Sequence, residues 1–171
     1  MTPFEFHRTV LVPGLTKMTA VIGPKPHGGN WENEARARIF LSAIAGQETN
    51  WQNVAQIGGG PGRGFWQDES ETCWDLVDNP ISAKFMKAMC VAFNLQLDGD
   101  AIYAALLTNP LLEVIVSRLD PYCDPRPLPY TLKDAWTLYT SIWRPGDPEP
   151  ERWSASYKAA LIADQQCFPH P

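Results

Sequence analysis

The sequence lacks several features that identify common classes of protein. Its 171 residues carry 14 basic and 19 acidic side chains, a formal net charge of −5, and no cluster of lysine or arginine. An acidic chain without a basic patch is not expected to bind nucleic acid. No window of about 18 uninterrupted apolar residues occurs, so no transmembrane helix is predicted. The N-terminus lacks a positive segment followed by an apolar one, so no signal peptide is predicted either.

Cysteine is also scarce, and no CxxC pair occurs, which argues against a zinc knuckle or a thioredoxin-like motif. The four cysteines are Cys73, Cys90, Cys123 and Cys167. Their even number allows two disulfides in an oxidising compartment. Because a chain of this length buries roughly 70% of its unfolded surface without cross-links, we favour buried free thiols. We expect no metal site and no cofactor.

The composition is that of one globular domain, with 44% hydrophobic and 19% charged residues. Proline and glycine recur through residues 1–29, which predicts an extended N-terminal arm with only a short helical piece around Pro13–Ala20. The domain itself is assigned to residues 30–167, followed by a C-terminal tail over residues 168–171.

Most of this domain shows helical periodicity, so the predicted fold class is mainly α. Asn30 offers a cap for the first helix, whose apolar face continues to about Gln47. Further helices are predicted from capping residues and apolar spacing over residues 80–93, 98–107, 110–119, 132–143 and 151–165. A proline-rich connection is expected over Pro121–Pro129.

A glycine-rich segment interrupts the helices between Thr49 and Gln67. The run Ile57–Gly64 contains five glycines, which leaves too much backbone freedom for a helix. We predict a short loop or a small β-hairpin ending in the aromatic pair Phe65-Trp66. It is not a phosphate loop, because no Gly-Lys-Ser/Thr follows and no strand precedes it.

The candidate catalytic group is Glu48, a carboxylate at the end of an apolar helix, with Trp51 three residues later. The glycine-rich segment is expected to return Gln67 and aromatic side chains close to it. A glycosidase needs a carboxylic acid that stays protonated near neutral pH, and desolvation raises the pKa of such a group. An amide-lined groove suits the oxocarbenium-like transition state of glycoside cleavage.

These residues resemble motifs of the lysozyme superfamily. Gln47-Glu48-x-x-Trp51, followed by Gly62-Arg63-Gly64-Phe65-Trp66-Gln67, is similar to the motifs of soluble lytic transglycosylases and goose-type lysozymes. Glu48 and Gln67 are 19 positions apart, the spacing of that family. The version here looks most like lysozyme-like proteins of bacteriophage virions. The resemblance covers about residues 39–69 and implies a lysozyme-like helical domain.

The resemblance also implies roles for individual residues. Glu48 takes the place of the general acid/base, and Gln67 that of a groove-lining amide. Thr49 stands where the family usually has serine, and Phe65-Trp66 replace Leu-Met. The full set of expected substrate-binding residues is Gln67, Trp51, Trp66, Gln56, Tyr139 and Tyr157. For the tryptophans and tyrosines, a position in the core is the alternative.

The number of carboxylates that take part is open. A single glutamate suffices for a lytic transglycosylase, because a hydroxyl of the sugar attacks. A hydrolase would use a second carboxylate, for which Asp68 and Glu69 are the candidates.

The implied function is cleavage of the β-1,4 glycan strands of bacterial peptidoglycan by an enzyme carried in a phage virion and acting at the host cell wall or periplasm. The expected partners are the glycan strand and phage virion or tail proteins. A non-catalytic structural or ejection component of a virion is one alternative, which extended chain ends would favour. A chitinase-like glycosidase is another.

Overall fold

The computed structural model describes residues 1–56 and 58–169. In this part of the chain the fold is mainly helical, as predicted, with one two-stranded antiparallel sheet. The α-helices are α1 (Pro3–Phe6), α2 (Val12–Ile22), α3 (Ala35–Thr49), α4 (Ser70–Asp78), α5 (Ala83–Ala92), α6 (Gly99–Ala105), α7 (Pro110–Cys123), α8 (Leu132–Ile142) and α9 (Pro150–Cys167). The strands are β1 (Val54–Ala55) and β2 (Arg63–Gly64). A π-helical turn covers His7–Leu11, and 3₁₀ turns cover Trp31–Asn33 and Leu106–Thr108.

Helix α3 carries Glu48 near its C-terminal end and passes through the core. Every residue from Phe40 to Gln47 is buried, as expected for a helix enclosed by others. Helix α9 packs along it. A buried, bidentate ion pair joins the two helices, with Arg38 Nε and Nη2 at 2.6 and 3.0 Å from the two carboxylate oxygens of Asp164. This planar pairing holds the start of α3 against the last turn of α9.

The extended arm predicted for residues 1–29 is wrong, because most of that segment is helical. Pro3 lies in the first turn of α1, where its missing N–H is not needed. Pro13 is the second residue of α2, close behind the π-helical turn over His7–Leu11, which accommodates the break in the hydrogen-bond ladder. The segment is therefore part of the domain, and its fully buried side chains include Phe6, Leu11, Leu15 and Met18.

Side-chain caps begin three helices at the predicted residues. Asp98, Asn109 and Thr131 each accept a hydrogen bond from the backbone N–H three residues later, at 2.9, 3.2 and 3.1 Å. The predicted connection over Pro121–Pro129 begins too early, because α7 continues through Pro121. A proline in the last turn of a helix removes few hydrogen bonds, so α7 tolerates it.

A small β-hairpin follows α3, which confirms one of the two predicted forms of the glycine-rich segment. Val54 pairs with Gly64, and Ala55 pairs with Arg63. Arg63 and Asp68 then exchange two backbone hydrogen bonds of 3.1 Å, which turns the chain back towards α4. The turn between the strands uses glycines with positive φ at positions 58 and 59.

The remaining predictions concern the tail, the cysteines and the membrane. Of the predicted tail over residues 168–171, residues 170 and 171 lie outside the described residues, and Phe168 packs on the domain with its ring 3.8 Å from the Arg38 guanidinium carbon. All four cysteines are free thiols. Within residues 1–56 and 58–169, no helix combines the length and the apolar character needed to cross a membrane.

Candidate active site

A cavity of about 730 Å³ lies at the C-terminal end of α3, and we call it the Glu48 cavity. The end of α3, the hairpin, the segment after α8 and the start of α9 line it. Its volume is within the range of small-molecule binding sites. The predicted site residues that line it are Glu48, Gln56, Gln67, Glu69 and Tyr139.

Glu48 is half-buried, and its carboxyl group has one hydrogen-bond donor close to it. The Tyr139 hydroxyl donates to Glu48 Oε1 at 2.6 Å. Burial raises the pKa of Glu48, and the opposing effects of the Tyr139 hydrogen bond and the Arg152 guanidinium do not cancel that increase. The carboxyl group therefore keeps its proton to higher pH than an exposed glutamate, which a general acid requires.

Tyr139 is itself held firmly. Its ring is only 1% exposed and stacks on Trp153, with ring centroids 4.8 Å apart and an angle of 8° between the planes. Burial and the neighbouring Glu48 carboxyl raise the pKa of Tyr139. The hydroxyl is therefore a permanent donor, fixed in position beside Glu48.

Trp51 does not line the cavity, which corrects the predicted groove position. Asn50 and Trp51 both adopt left-handed backbone conformations, with φ of 53° and 56°, and this turn directs the indole back against α3. The indole fits against Gly46, where a side chain would leave no room for it, and its Nε1 donates to the Ser42 carbonyl at 3.0 Å. Trp51 is thus a core residue that supports the end of α3.

Phe65 and Trp66 also belong to the core, so the predicted groove position of Trp66 is wrong. Their exposures are 2% and 0%, and both rings pack against Phe6, with centroid distances of 5.0 and 5.4 Å. Trp66 Nε1 donates to the Leu41 carbonyl at 2.8 Å. The N-terminal helix, which the sequence analysis did not predict, provides the apolar surface that covers these rings.

Two amide side chains join the hairpin to the cavity. Gln67 Nε2 donates to the Val54 and Gly64 carbonyls at 3.0 and 2.9 Å, and Gln56 Oε1 accepts from the Gly62 N–H at 3.0 Å. These bonds leave Gln67 Oε1 and Gln56 Nε2 without a hydrogen-bond partner among the described residues. Each of these two side chains, which line the cavity, therefore keeps one polar atom free to bind a ligand.

Thr49 stands where the motif that this sequence resembles usually has serine, and it connects the helix to the hairpin segment. Its hydroxyl oxygen lies 3.0 Å from the Ala45 carbonyl oxygen and 2.9 Å from that of Phe65. The Thr49 hydroxyl thus has a structural role at the wall of the cavity.

Tyr157 does not line the Glu48 cavity, contrary to the predicted position. It is partly buried on α9, with its ring centroid 6.3 Å from that of Trp153. Residues four positions apart lie on the same face of a helix, so Tyr157 follows Trp153 towards the core, whereas Arg152 lines the cavity.

The two candidate second carboxylates lie in different environments. Asp68 is 2% exposed and accepts a hydrogen bond from Ser117 Oγ at 2.6 Å. Burial raises its pKa to about 7. Asp68 does not line the Glu48 cavity, so it cannot hold a water molecule there. Glu69 is exposed and does line the cavity, which leaves it as the candidate.

Glu113, a fully buried carboxyl group on α7, is not among the predicted site residues. Its Oε1 accepts a hydrogen bond from the Trp66 N–H at 3.1 Å. Gly64, with φ of 80°, lies so close to this carboxyl that a Cβ could not be added. Burial, reinforced by the charge of Asp68, raises the pKa of Glu113 well above its usual value. The available signal was a glutamate within the apolar run Leu-Leu-Glu-Val-Ile-Val.

The segment between α8 and α9 was also missed as part of the site. Arg144, Asp147 and Glu149 line the cavity, together with Arg152 at the start of α9. The sequence signal was a proline- and glycine-rich stretch directly after the helix that carries Tyr139. Binding residues are often found on loops next to rigid helices, so this stretch could have indicated part of the site.

Comparison with protein-family models, with curated proteins and with solved structures finds no match for this chain. The function proposed below is therefore supported by the chain's own residues and geometry, together with the motif resemblance.

Proposed function

We propose that this protein cleaves the β-1,4 glycan strands of bacterial peptidoglycan as a lysozyme-like lytic transglycosylase. The observation that carries the proposal is the environment of Glu48: a desolvated carboxyl group with a raised pKa, in the wall of a cavity of about 730 Å³. Burial of an ionisable group in a cleft is costly, and active sites are where such groups cluster.

Glu48 is suited to act as the general acid at one defined oxygen. The Tyr139 hydroxyl donates to Oε1, so Oε2 is the oxygen that carries the proton. As the bond between C1 and the leaving oxygen breaks, that oxygen takes the proton from Oε2, and positive charge develops at C1. The Glu48 carboxylate that results is stabilised by the Tyr139 hydrogen bond and by Arg152.

In the second step, the Glu48 carboxylate accepts a proton from the C6 hydroxyl of the same sugar, whose oxygen bonds to C1. This restores the acid and leaves a 1,6-anhydro ring, so no second carboxylate is required. Hydrolysis is the competing chemistry, because Glu69 lines the same cavity and could activate a water molecule.

The cavity offers polar contacts for a glycan. Gln67 Oε1 and Gln56 Nε2 are free to bind hydroxyl or acetamido groups, and Trp143 provides an aromatic surface in the lining. Peptidoglycan as substrate, and a phage virion as the carrier, are proposed from the motif resemblance. An extended docking arm had supported the alternative of a non-catalytic virion component, and the helical N-terminal segment removes that support.

Loss of turbidity of purified peptidoglycan tests the proposal. Wild type is expected to clear the suspension, and Glu48→Gln to be at least about 100-fold slower, because loss of a general acid typically costs that much. Glu151→Gln is the matched control, since Glu151 is exposed on α9 and does not line the cavity. Equal clearing by wild type and Glu48→Gln would reject Glu48, and cleavage of chitin oligomers alone would select the chitinase-like alternative.

A further inference from the structure

A second cavity of about 240 Å³ adjoins the Glu48 cavity, and we call it the acidic cavity. The two cavities share four lining residues: Gln67, Glu69, Trp143 and Arg144. Carboxylate side chains dominate the lining of the acidic cavity. They are Asp68, Glu69, Glu71, Asp75 and Asp120. A group attached to a ligand in the Glu48 cavity can therefore extend into an acidic environment.

The carboxyl groups of this cavity lack basic partners within the described part of the protein. Among the described residues, none of its five carboxylates forms an ion pair with a lysine, arginine or histidine. Arg144 is the only basic residue in the lining. Its guanidinium lowers the pKa of Asp120, but burial and the charge of Asp75 prevail and raise that pKa to about 7. Carboxyl groups kept from ionising in this way gain from any cation that binds beside them.

The burial of Asp68 indicates a ligand site, because a solvated acidic surface would leave this carboxyl group exposed to water. Its side chain is almost wholly buried, at 2% exposure, and it lines the acidic cavity. Ser117 Oγ occupies Oδ2, while Oδ1 has no hydrogen-bond donor among the described residues. Asp120, partly buried beside it, has neither a hydrogen bond nor an ion pair within the same part of the chain. Oδ1 of Asp68 is not among the sealed, unpartnered polar atoms of the described residues, so a donor on a ligand in the cavity can reach it.

The geometry favours an organic ammonium group over a metal ion. No three His, Cys, Asp or Glu side chains in residues 1–56 and 58–169 are placed to hold a metal ion together. An ammonium group instead makes separate hydrogen bonds to dispersed carboxylates and binds favourably to an indole face. Trp143 supplies an indole in the lining.

We propose that the acidic cavity binds a primary ammonium group of the substrate while the glycan lies in the Glu48 cavity. The assignment to a substrate rests on the function proposed above. Two parts of a peptidoglycan strand could carry this group: the side chain of a diamino acid in the peptide stem, or a glucosamine that lacks its acetyl group.

Binding of small amines to the full-length chain, followed by NMR titration, tests the proposal without glycan cleavage. Nα-acetyl-lysine amide represents the peptide stem, glucosamine represents the deacetylated sugar, and Nα-acetyl-norleucine amide is the uncharged control. We expect saturable binding of at least one amine and none of the norleucine compound. The amine that binds identifies the source.

Substitutions on helix α4 and helix α7 test whether the amine binds in the acidic cavity. Asp75→Asn and Asp120→Asn are each expected to weaken amine binding about two- to fivefold, as for loss of one partly exposed charge pair. Asp78→Asn is the matched control, because Asp78 is exposed on the same helix as Asp75 but does not line the cavity. It should leave the affinity unchanged.

No saturable amine binding, or equal affinities of wild type, Asp75→Asn and Asp120→Asn, would overturn the inference. Peptidoglycan cleavage in a protein that binds neither amine would overturn it while leaving the proposed function intact. Amine binding in a protein that cleaves no glycan would instead support an ammonium site in the acidic cavity and count against the proposed function, together with the assignment of the amine to its substrate.

Discussion

Replacement of Glu113 tests whether its hydrogen bond with the Trp66 N–H holds the segment after the hairpin in place. Glu113→Leu keeps a similar volume but removes the acceptor of the Trp66 N–H. An unpaired buried donor costs about 1–3 kcal/mol. In Glu113→Gln the amide oxygen can still accept this bond. Burial raises the pKa of Glu113 well above its usual value, so its surroundings disfavour a negative charge, and a neutral amide suits them.

We therefore expect Glu113→Leu to lose about 2 kcal/mol of stability, and Glu113→Gln less than about 1 kcal/mol. For a domain of this size, 1 kcal/mol lowers Tm by about 2–4 °C, so the leucine variant should melt about 4–8 °C below wild type in differential scanning calorimetry. Its lytic rate should also fall, because Gln67 follows Trp66 directly. Equal Tm values for the two variants would show that the Trp66 hydrogen bond does not hold this segment.

Three further predictions follow from the same contacts. Tyr139→Phe removes a hydrogen bond that lowers the pKa of Glu48, so the alkaline limb of the lytic pH profile should move to higher pH; a shift to lower pH would contradict this. The folded-state pKa of Asp120 is raised from 3.8 to about 7, so its stabilising contribution is complete below pH 3.8 and is lost as the pH rises through 7. The Tm of wild type should therefore fall more between pH 5 and pH 8 than that of Asp120→Asn. An equal fall of Tm in the two proteins would refute the raised pKa of Asp120. Gly46→Ala should cost about 1–3 kcal/mol in chemical denaturation, because a Cβ there would meet the Trp51 indole; an unchanged midpoint would contradict the close packing.

Local chemistry was enough to predict much of the fold. The caps at Asp98, Asn109 and Thr131 act within one helical turn, so their effect can be read from neighbouring residues. The position of Glu48 at a helix end and the return of the chain by a glycine-rich hairpin are also local, and both were predicted. Helix α1 was not predicted, and α2 was predicted only in part, over Pro13–Ala20, because proline and glycine signal a break only where tertiary packing does not compensate. Gly14, for example, lies in α2 where a Cβ would overlap Val114 of α7.

The direction in which a side chain points could not be predicted from spacing. Trp51 and Trp66 have the composition expected of a sugar-binding groove, but a left-handed turn and the packing of Phe6 direct them into the core. The acidic cavity could not be predicted from the sequence either, because Asp68, Asp75 and Asp120 come from three separate segments. Their proximity depends on how α4 and α7 pack beside the hairpin, which is a long-range property of the chain.

Mass spectrometry of the soluble products from purified peptidoglycan tests the central proposal most directly. Wild type is expected to release muropeptides with 1,6-anhydro ends, and Glu48→Gln to release none above background. Products with reducing ends would select hydrolysis, with Glu69→Gln as the next variant to examine. Release of the same products by wild type and Glu48→Gln, or no release by wild type, would contradict the role proposed for Glu48.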